Sequence, residues 1–188
     1  MIIDTHTHLD AEEFDEDRAE AFARAKKAGV EKVFLPAIDL KTTRGVLELS
    51  KQYPGYAYPM IGLHPEEVKE DWKEQLAEIC KILDAQGSDY IAIGEVGLDY
   101  YWSREFEKEQ LVAFEEQVKW SVETQLPLMI HCRKGQNEWC ICSDNTRKTC
   151  LAVCSIASQA IRKRLRNSSA LISSCSEWEV SLPSRAAI

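Results

Sequence analysis

The sequence lacks a long apolar run, a charged leader segment and an excess of basic residues. Among its 188 residues no stretch stays apolar over the length that crosses a bilayer, and no basic segment followed by an apolar one opens the chain. We therefore expect a cytoplasmic protein with no membrane partner. The net charge of −8 argues against binding nucleic acid through a basic face, but it leaves open the binding of phosphates through metal ions.

Histidine is scarce as well, and the composition changes along the chain. Of four histidines and seven cysteines, no histidine but five cysteines lie in residues 139–188. Acidic residues dominate up to Glu138, whereas basic residues outnumber them after it. The length allows a single domain with a sizeable core. We place the folded part of that domain in residues 1–138.

Apolar segments and amphipathic segments alternate through these residues. Short apolar runs predict five strands, at Met1–Asp4, Val33–Leu35, Tyr56–Leu63, Tyr90–Ile93 and Leu126–Ile130. Helical spacing of apolar residues predicts four helices between them, at Phe14–Ala28, Thr42–Gln52, Glu67–Ala85 and Glu105–Thr124. Such alternation is typical of parallel strands with right-handed crossovers, in either an open doubly wound sheet or a (β/α)₈ barrel.

The placement of polar residues favours the barrel. No glycine-rich phosphate loop follows the first strand, which weakens the nucleotide-binding open sheet. The candidate ligands instead follow the predicted strands, at the carboxyl edge where barrel enzymes place their chemistry. We therefore predict an α/β fold of the TIM-like (β/α)₈ metal-dependent hydrolase type, of which this chain supplies the first five strands and four helices.

Three histidines and one glutamate form a candidate metal site at that edge. His6 and His8 follow the first strand in a His-x-His pattern, Glu95 follows the fourth and His131 the fifth. Imidazole and carboxylate ligands suit zinc, manganese or a similar divalent ion, and a bridging carboxylate could hold a pair of ions that hydrolyses phosphoesters. Taken singly, the histidine pair could be polar loop residues, Glu95 an ion-pair partner and His131 a hydrogen-bonded core histidine.

Four motifs, in order along the chain, make a resemblance specific. They are Ile3–Asp10, Gly62–Pro65, Ile93–Tyr101 and Pro127–Arg133. In these motifs the chain resembles the TatD family of metal-dependent deoxyribonucleases, relatives of the amidohydrolase barrels. The resemblance implies hydrolysis of phosphodiesters in single-stranded DNA, as a 3′→5′ exonuclease, with RNA as an open alternative. It also implies two divalent ions, zinc, magnesium or manganese, and we expect a monomer.

The resemblance also implies roles for individual residues. His6 and His8 would hold one ion, Glu95 would bridge both ions as the catalytic carboxylate, and His131 would hold the second ion. His64 and Arg133 would contact the substrate phosphate. Beside them, Tyr100–Trp102 could stack on bases or could pack the loop onto the barrel rim. A deacylase or another amidohydrolase-like metallo-hydrolase stays open, as does a fragment without catalytic activity.

Residues 139–188 depart from this pattern. The family would next supply a helix, a strand ending in His-Ser-Phe-Thr-Gly and an aspartate ligand, and neither motif is present. In a shifted reading frame, however, codons from Val153 to Ile161 permit Val-Phe-His-Ser-Phe-Thr-Gly-Asn. We therefore predict a single-base loss near Glu138, an irregular out-of-frame tail and impaired activity. The rival interpretation is a genuine cysteine-rich module, whose spacing gives little support to a structural zinc site.

Overall fold

The computed structural model of the chain describes residues 2–135 and the backbone of one further strand. In this part of the chain the strands are β1 (Ile2–Asp4), β2 (Val30–Leu35), β3 (Ala57–Pro59), β4 (Ile93–Asp99), β5 (Leu128–Arg133) and β6 (Val153–Ala157). The α-helices are α1 (Arg18–Lys27), α2 (Leu40–Gln52), α3 (Trp72–Gln86) and α4 (Glu107–Thr124). The predicted order of five strands and four helices is therefore confirmed.

All strand pairs among the described residues are parallel, and they follow chain order. One sheet is β1-β2-β3 and the other is β4-β5-β6. A parallel bridge between Ile61 and Ile93 joins the two, with the Gly94 amide donating to the Ile61 carbonyl at 2.8 Å. The six strands thus lie side by side in sequence order, and all their carboxyl ends face one edge. This is the order of strands along the wall of a (β/α) barrel.

The last of these strands was not predicted. β6 pairs in parallel with β5 over its whole length, Val153 opposite Leu128 and Ala157 opposite Cys132. Strand pairing is made by backbone groups, and the edge of β5 offers unpaired donors and acceptors to a neighbouring segment without requiring a particular side-chain pattern. β6 thus corrects the predicted irregular tail at Val153–Ala157, whereas the rest of residues 139–188 and the predicted boundary at residue 138 lie outside the described residues.

Two strands lie further along the chain than predicted, since β4 begins at Ile93 rather than Tyr90 and β5 at Leu128 rather than Leu126. β4 and β5 were predicted to end before Glu95 and His131, but both residues lie inside the strands. The prediction was wrong because each strand was ended where its apolar run stops, at Ile93 and at Ile130. Gly97 lies directly against β5 with φ +143°, where a Cβ would overlap the His131 carbonyl oxygen. Glycine here lets the two backbones approach closely.

Other boundaries were also set too wide. β3 ends at Pro59, although Tyr56–Leu63 was predicted as one strand; beyond it the Met60 amide still donates to the Leu35 carbonyl at 2.9 Å. α1 begins at Arg18 rather than Phe14, after a short 3₁₀ turn at Glu12–Phe14. α3 begins at Trp72 rather than Glu67, because Pro65–Glu67 form a separate 3₁₀ turn.

The helices pack against the strands through a large apolar core. Every residue of β4 is buried, as expected for a strand covered on both faces. The main cluster includes Ile61, Ile93 and Leu98 from the strand region and Phe114 from α4, each at most 2% exposed. At about 25 cal/mol per Å² of apolar surface, burying each such side chain stabilises the fold by about 2 kcal/mol. The core thereby holds the strand ends in fixed register.

Candidate metal centre

Glu95 lies at the centre of a cluster that contains all four histidines of the chain. Glu95 is only 4% exposed, and its two carboxylate oxygens face different histidines. Oε2 lies 3.2 Å from His6 Nε2, 4.0 Å from His8 Nε2 and 3.9 Å from His64 Nε2. Oε1 lies 3.1 Å from His131 Nδ1. One buried carboxylate thus faces four imidazoles that come from three different segments of the chain.

The first pair of histidines is aligned by an extension of strand pairing. Beyond the end of β1, the Thr7 amide donates to the Phe34 carbonyl at 3.1 Å, so the chain stays extended along β2. Alternate residues of an extended segment point the same way, which brings His6 and His8 to one side. Their Nε2 atoms lie 3.1 Å apart. The structure therefore brings the two side chains of the His-x-His pattern together.

His131 contacts a second carboxylate besides Glu95. Its Nε2 lies 2.8 Å from Oδ2 of Asp99, which is 2% exposed. The backbone register explains this placement, because Gly97 of β4 pairs with His131 of β5 and leaves Glu95 and Asp99 on either side. The imidazole is consequently held between two carboxylates, one at each ring nitrogen.

His64 is fixed through its own backbone and through its ring. The His64 amide donates to the Ile38 carbonyl at 2.7 Å, and Nδ1 accepts a hydrogen bond from the Glu66 amide at 3.2 Å. Because a neutral imidazole whose Nδ1 accepts carries its proton on Nε2, the nitrogen that faces Glu95 is a donor. This differs from His6 and His8, whose buried Nδ1 atoms have no hydrogen-bond partner among the described residues.

Arg133 lies at the exposed rim of the cluster, at the end of β5. Its guanidinium carbon lies 3.6 Å from the centre of the Tyr101 ring and 5.2 Å from that of Trp102. Tyr101 is 49% and Trp102 68% exposed, whereas Tyr100 is buried. Of the three aromatic residues, therefore, only Tyr100 packs into the rim, and the other two form an open surface with Arg133.

Burial and mutual charge set the protonation of the cluster. Burial lowers the pKa of His64 to about 4 and also lowers the pKa of His6. Burial alone would raise the pKa of Glu95, but the hydrogen bond to His131 and the nearby imidazoles outweigh it and hold that pKa below its usual value. For His131, burial lowers the pKa, yet the hydrogen bonds to Glu95 and Asp99 raise it overall.

The donor set fits divalent metal ions. In each of two groups, His6–His8–Glu95 and His64–Glu95–His131, the ligand atoms lie within 4.8 Å of one another. Borderline ions such as zinc and manganese accept both imidazole nitrogen and carboxylate oxygen. The Nε2 atoms of His6 and His8 lie 3.1 Å apart and both face Oε2 of Glu95, so with both nitrogens unprotonated these three atoms would form one ligand set.

Sequence reasoning missed Asp99. The residue stands in the motif Ile93–Tyr101, four positions after Glu95, and alternation along a strand puts Glu95 and Asp99 on the same face. That signal was available, but a strand predicted to stop at Ile93 hid it. Gln110, which binds the backbone of Asp99 from α4, gave no signal, because its contact arises only from the packing of the helix on the sheet.

Parallel strands in chain order and a histidine–carboxylate cluster at their carboxyl edge define a metallo-hydrolase barrel as the class of protein. The family model described as TatD related DNase matches residues 3–162. The chain belongs to this family. The match runs beyond Glu138, where the sequence predicted that the likeness ends.

Individual relatives and a solved structure agree with this assignment. The chain is 38% identical over 138 residues to the uncharacterized metal-dependent hydrolase YabD of Bacillus subtilis, covering 73% of this chain and 53% of YabD. It is 29% identical over 138 residues to the 3′-5′ ssDNA/RNA exonuclease TatD of Pantoea, with 73% and 52% covered. The chain thus spans about half the length of the curated relatives that it matches.

The structural comparison settles the fold. The crystal structure of YJJV, a TatD homologue from Escherichia coli, matches with a TM-score of 0.71 at 28% identity, over 77% of this chain and 55% of that one. The predicted TIM-like barrel type is confirmed by this likeness. In the part of the chain that the structure describes, no helix is both long and apolar enough to cross a bilayer.

Proposed function

We propose that this chain carries the metal-binding half of a nuclease that hydrolyses phosphodiester bonds, with single-stranded DNA as the substrate and RNA as a second one. The observation that carries the proposal is the convergence of all four histidines on the buried carboxylate of Glu95. The name of the Pantoea relative, a 3′-5′ ssDNA/RNA exonuclease, supports the substrate and the direction of cleavage.

We assign two divalent ions to this cluster. His6, His8 and Oε2 of Glu95 would hold one ion, and Oε1 of Glu95 with His131 would hold the other, so that Glu95 bridges them. When bound, such ions lower the pKa of a water molecule and neutralise charge on a phosphate. The identity of the ions is open among zinc, manganese and magnesium, although nitrogen ligands favour the first two.

The remaining residues would bind the substrate. His64 presents an Nε2 proton toward the cluster, because its Nδ1 accepts from the Glu66 amide, and we assign that proton to a phosphate oxygen. Arg133 at the rim would add a positive charge for the same phosphate. The exposed rings of Tyr101 and Trp102 beside it would stack on a base, which contributes about 1–3 kcal/mol per base.

The test is metal-dependent cleavage by the purified chain. Single-stranded DNA labelled at its 5′ end would be incubated with Mn²⁺, Zn²⁺ or Mg²⁺, and the products compared with those after chelation. We expect slow shortening from the 3′ end in at least one metal and none with chelator. Single-stranded RNA and duplex DNA serve as comparison substrates. Cleavage that chelation leaves unchanged would contradict the proposal.

A substitution of the bridging carboxylate sharpens this test. Glu95→Gln removes the charge between the two ions while keeping the size of the side chain, so we expect cleavage and metal binding to fall by about 100-fold or more. Glu48→Gln is the matched control, since Glu48 lies on α2 with a side chain 68% exposed. Equal activity of the Glu95→Gln variant and the control would refute the assignment.

A further inference from the structure

Asp99 has no role in the proposed function, yet hydrogen bonds hold both its backbone and its side chain. Its amide donates to Oε1 of Gln110 at 3.0 Å, and its carbonyl accepts from Nε2 of the same side chain at 3.1 Å. Its Oδ1 accepts from the Tyr101 amide at 2.8 Å, and its Oδ2 lies 2.8 Å from His131 Nε2. Backbone and side chain of Asp99 are thus both fixed, and only Oδ2 is directed at the metal cluster.

Gln110 is itself placed by the core. It lies on α4 and is 5% exposed, and its amide makes both contacts to Asp99 across the interface between α4 and β4. Because a buried amide satisfied on both sides adopts one orientation, the pair restricts Asp99 to a single position. The packing of α4 on β4 thereby fixes the position of the carboxylate that contacts His131.

We infer that Asp99 is a positioning residue, which holds the proton on Nε2 of His131 and so keeps Nδ1 directed at Glu95 as a metal ligand. The inference rests on the proposed function, since it concerns the ion that Glu95 and His131 would share. A carboxylate on the far nitrogen of a metal-binding histidine fixes both the tautomer and the orientation of the ring. The buried contacts of Asp99 supply that arrangement here.

The first readout needs neither metal nor substrate. In the chelator-treated full chain at alkaline pH, the four histidines give few enough ¹⁵N imidazole signals to assign each tautomer. We expect His131 to carry its proton on Nε2, because the contact to Asp99 is the shorter of its two and Glu95 is shared by four rings. In Asp99→Asn, a side-chain NH₂ group replaces the oxygen that faces Nε2 of His131, so this nitrogen has no carboxylate acceptor. We therefore expect the proton of His131 to move to Nδ1, which faces Glu95.

The second readout is metal affinity measured by titration calorimetry with Zn²⁺. Asp99→Asn should weaken the ion that uses His131 by about 10–100-fold and leave the ion at His6 and His8 unchanged. Asp84→Asn, an exposed aspartate on α3, is the matched control and should change neither readout. If the wild-type chain binds no Zn²⁺, the proposed function fails, whereas the tautomer of His131 still tests the role of Asp99.

A pair of glutamine variants separates positioning from general stability. Gln117, seven residues along α4, makes the same two-sided contact with the backbone of Leu63 at 2.7 and 3.2 Å. Gln110→Leu and Gln117→Leu should destabilise the fold to a similar extent, but only Gln110→Leu should disturb the His131 tautomer. Equal disturbance by both variants would overturn the inference.

One further result would also overturn it. Glu66, Asp99 and His131 place ligand atoms within 4.8 Å of one another, so Asp99 could instead bind an ion directly. In that case Asp99→Asn and Glu66→Gln would each abolish one equivalent of bound Zn²⁺ rather than weaken it. A reduced affinity at unchanged stoichiometry in Asp99→Asn, with Glu66→Gln unaffected, supports the positioning role.

Discussion

Gly97 shows how one residue sets the spacing of the candidate metal centre. It lies on β4 between Glu95 and Asp99, opposite His131, and its φ of +143° belongs to a region that side chains rarely adopt. With no Cβ, its backbone touches that of His131, and the imidazole can reach both carboxylates. The distance of 2.8 Å between His131 and Asp99 therefore depends on a residue without functional groups.

Replacing Gly97 should lower the stability of the fold and disturb the spacing of the candidate metal centre. We expect Gly97→Ala to lower the free energy of unfolding by about 3 kcal/mol, because the new Cβ overlaps the His131 carbonyl and the φ angle is strained. Gly45→Ala is the control: a Cβ there has no heavy atom within 4 Å, and alanine inside α2 should stabilise by about 0.5–1 kcal/mol. Urea denaturation of both variants measures the difference; a Gly97→Ala variant as stable as wild type would contradict the close approach.

At the scale of elements, the helices α2 and α3 begin in different ways. Asp39 caps α2, since its carboxylate accepts from the Thr42 amide at 2.7 Å and the Thr42 hydroxyl lies 2.8 Å from the Asp39 amide. Asp71 occupies the same position before α3 but makes no side-chain capping bond. The segment between β2 and α2 is thus fixed by its cap, and it carries Ile38, whose carbonyl binds the His64 amide.

The two caps give a matched comparison of stability. Asp39→Ala should destabilise the chain by about 1 kcal/mol, because it leaves the Thr42 amide of α2 without its acceptor. Asp71→Ala should change stability by less than about 0.5 kcal/mol, because no capping bond is lost. Thermal unfolding followed by circular dichroism distinguishes them. Equal effects at the two positions would show that the capping box of α2 adds nothing.

Sequence patterns predicted the elements well and their ends poorly. Alternating apolar and amphipathic segments reported the order of strands and helices, because that pattern reflects burial. The ends of β4 and β5 were missed, since the apolar runs stop at Ile93 and Ile130 whereas the strands continue to Asp99 and Arg133. The histidine cluster followed from the parallel order, whereas Asp99 and Gln110 depend on tertiary contacts that no local pattern carries.

At the scale of the whole molecule, the part of the chain that holds the candidate centre and the part after Glu138 differ in their histidine and cysteine content. Among the described residues the cluster lies within 1–138, and the family match continues to residue 162. Residues 139–188 nevertheless hold five of the seven cysteines and no histidine. We propose that this composition reflects a reading frame shifted near Glu138, which would leave the barrel without the ligands that its second half supplies.

The coding DNA tests this directly. Resequencing across the codons around Glu138 should reveal a missing base, and restoring it should yield a chain with a histidine after the strand that follows β5. The restored chain should cleave single-stranded DNA faster than the present one by about 100-fold or more, because the second ion regains its ligands. An intact frame across the junction would sink the proposal and favour a genuine cysteine-rich segment.

The two buried glutamines of α4 restrict which insertions and deletions the helix can tolerate. Gln110 and Gln117 are seven residues apart, which is close to two full turns and about 10 Å along the axis. Gln110 binds the backbone of Asp99 and Gln117 that of Leu63. One residue inserted or deleted between the two glutamines would therefore rotate one of their side chains by about 100° about the helix axis, away from its partner. Substitutions on the outer face of α4 should therefore be tolerated in evolution, whereas single-codon insertions or deletions between these two positions should not.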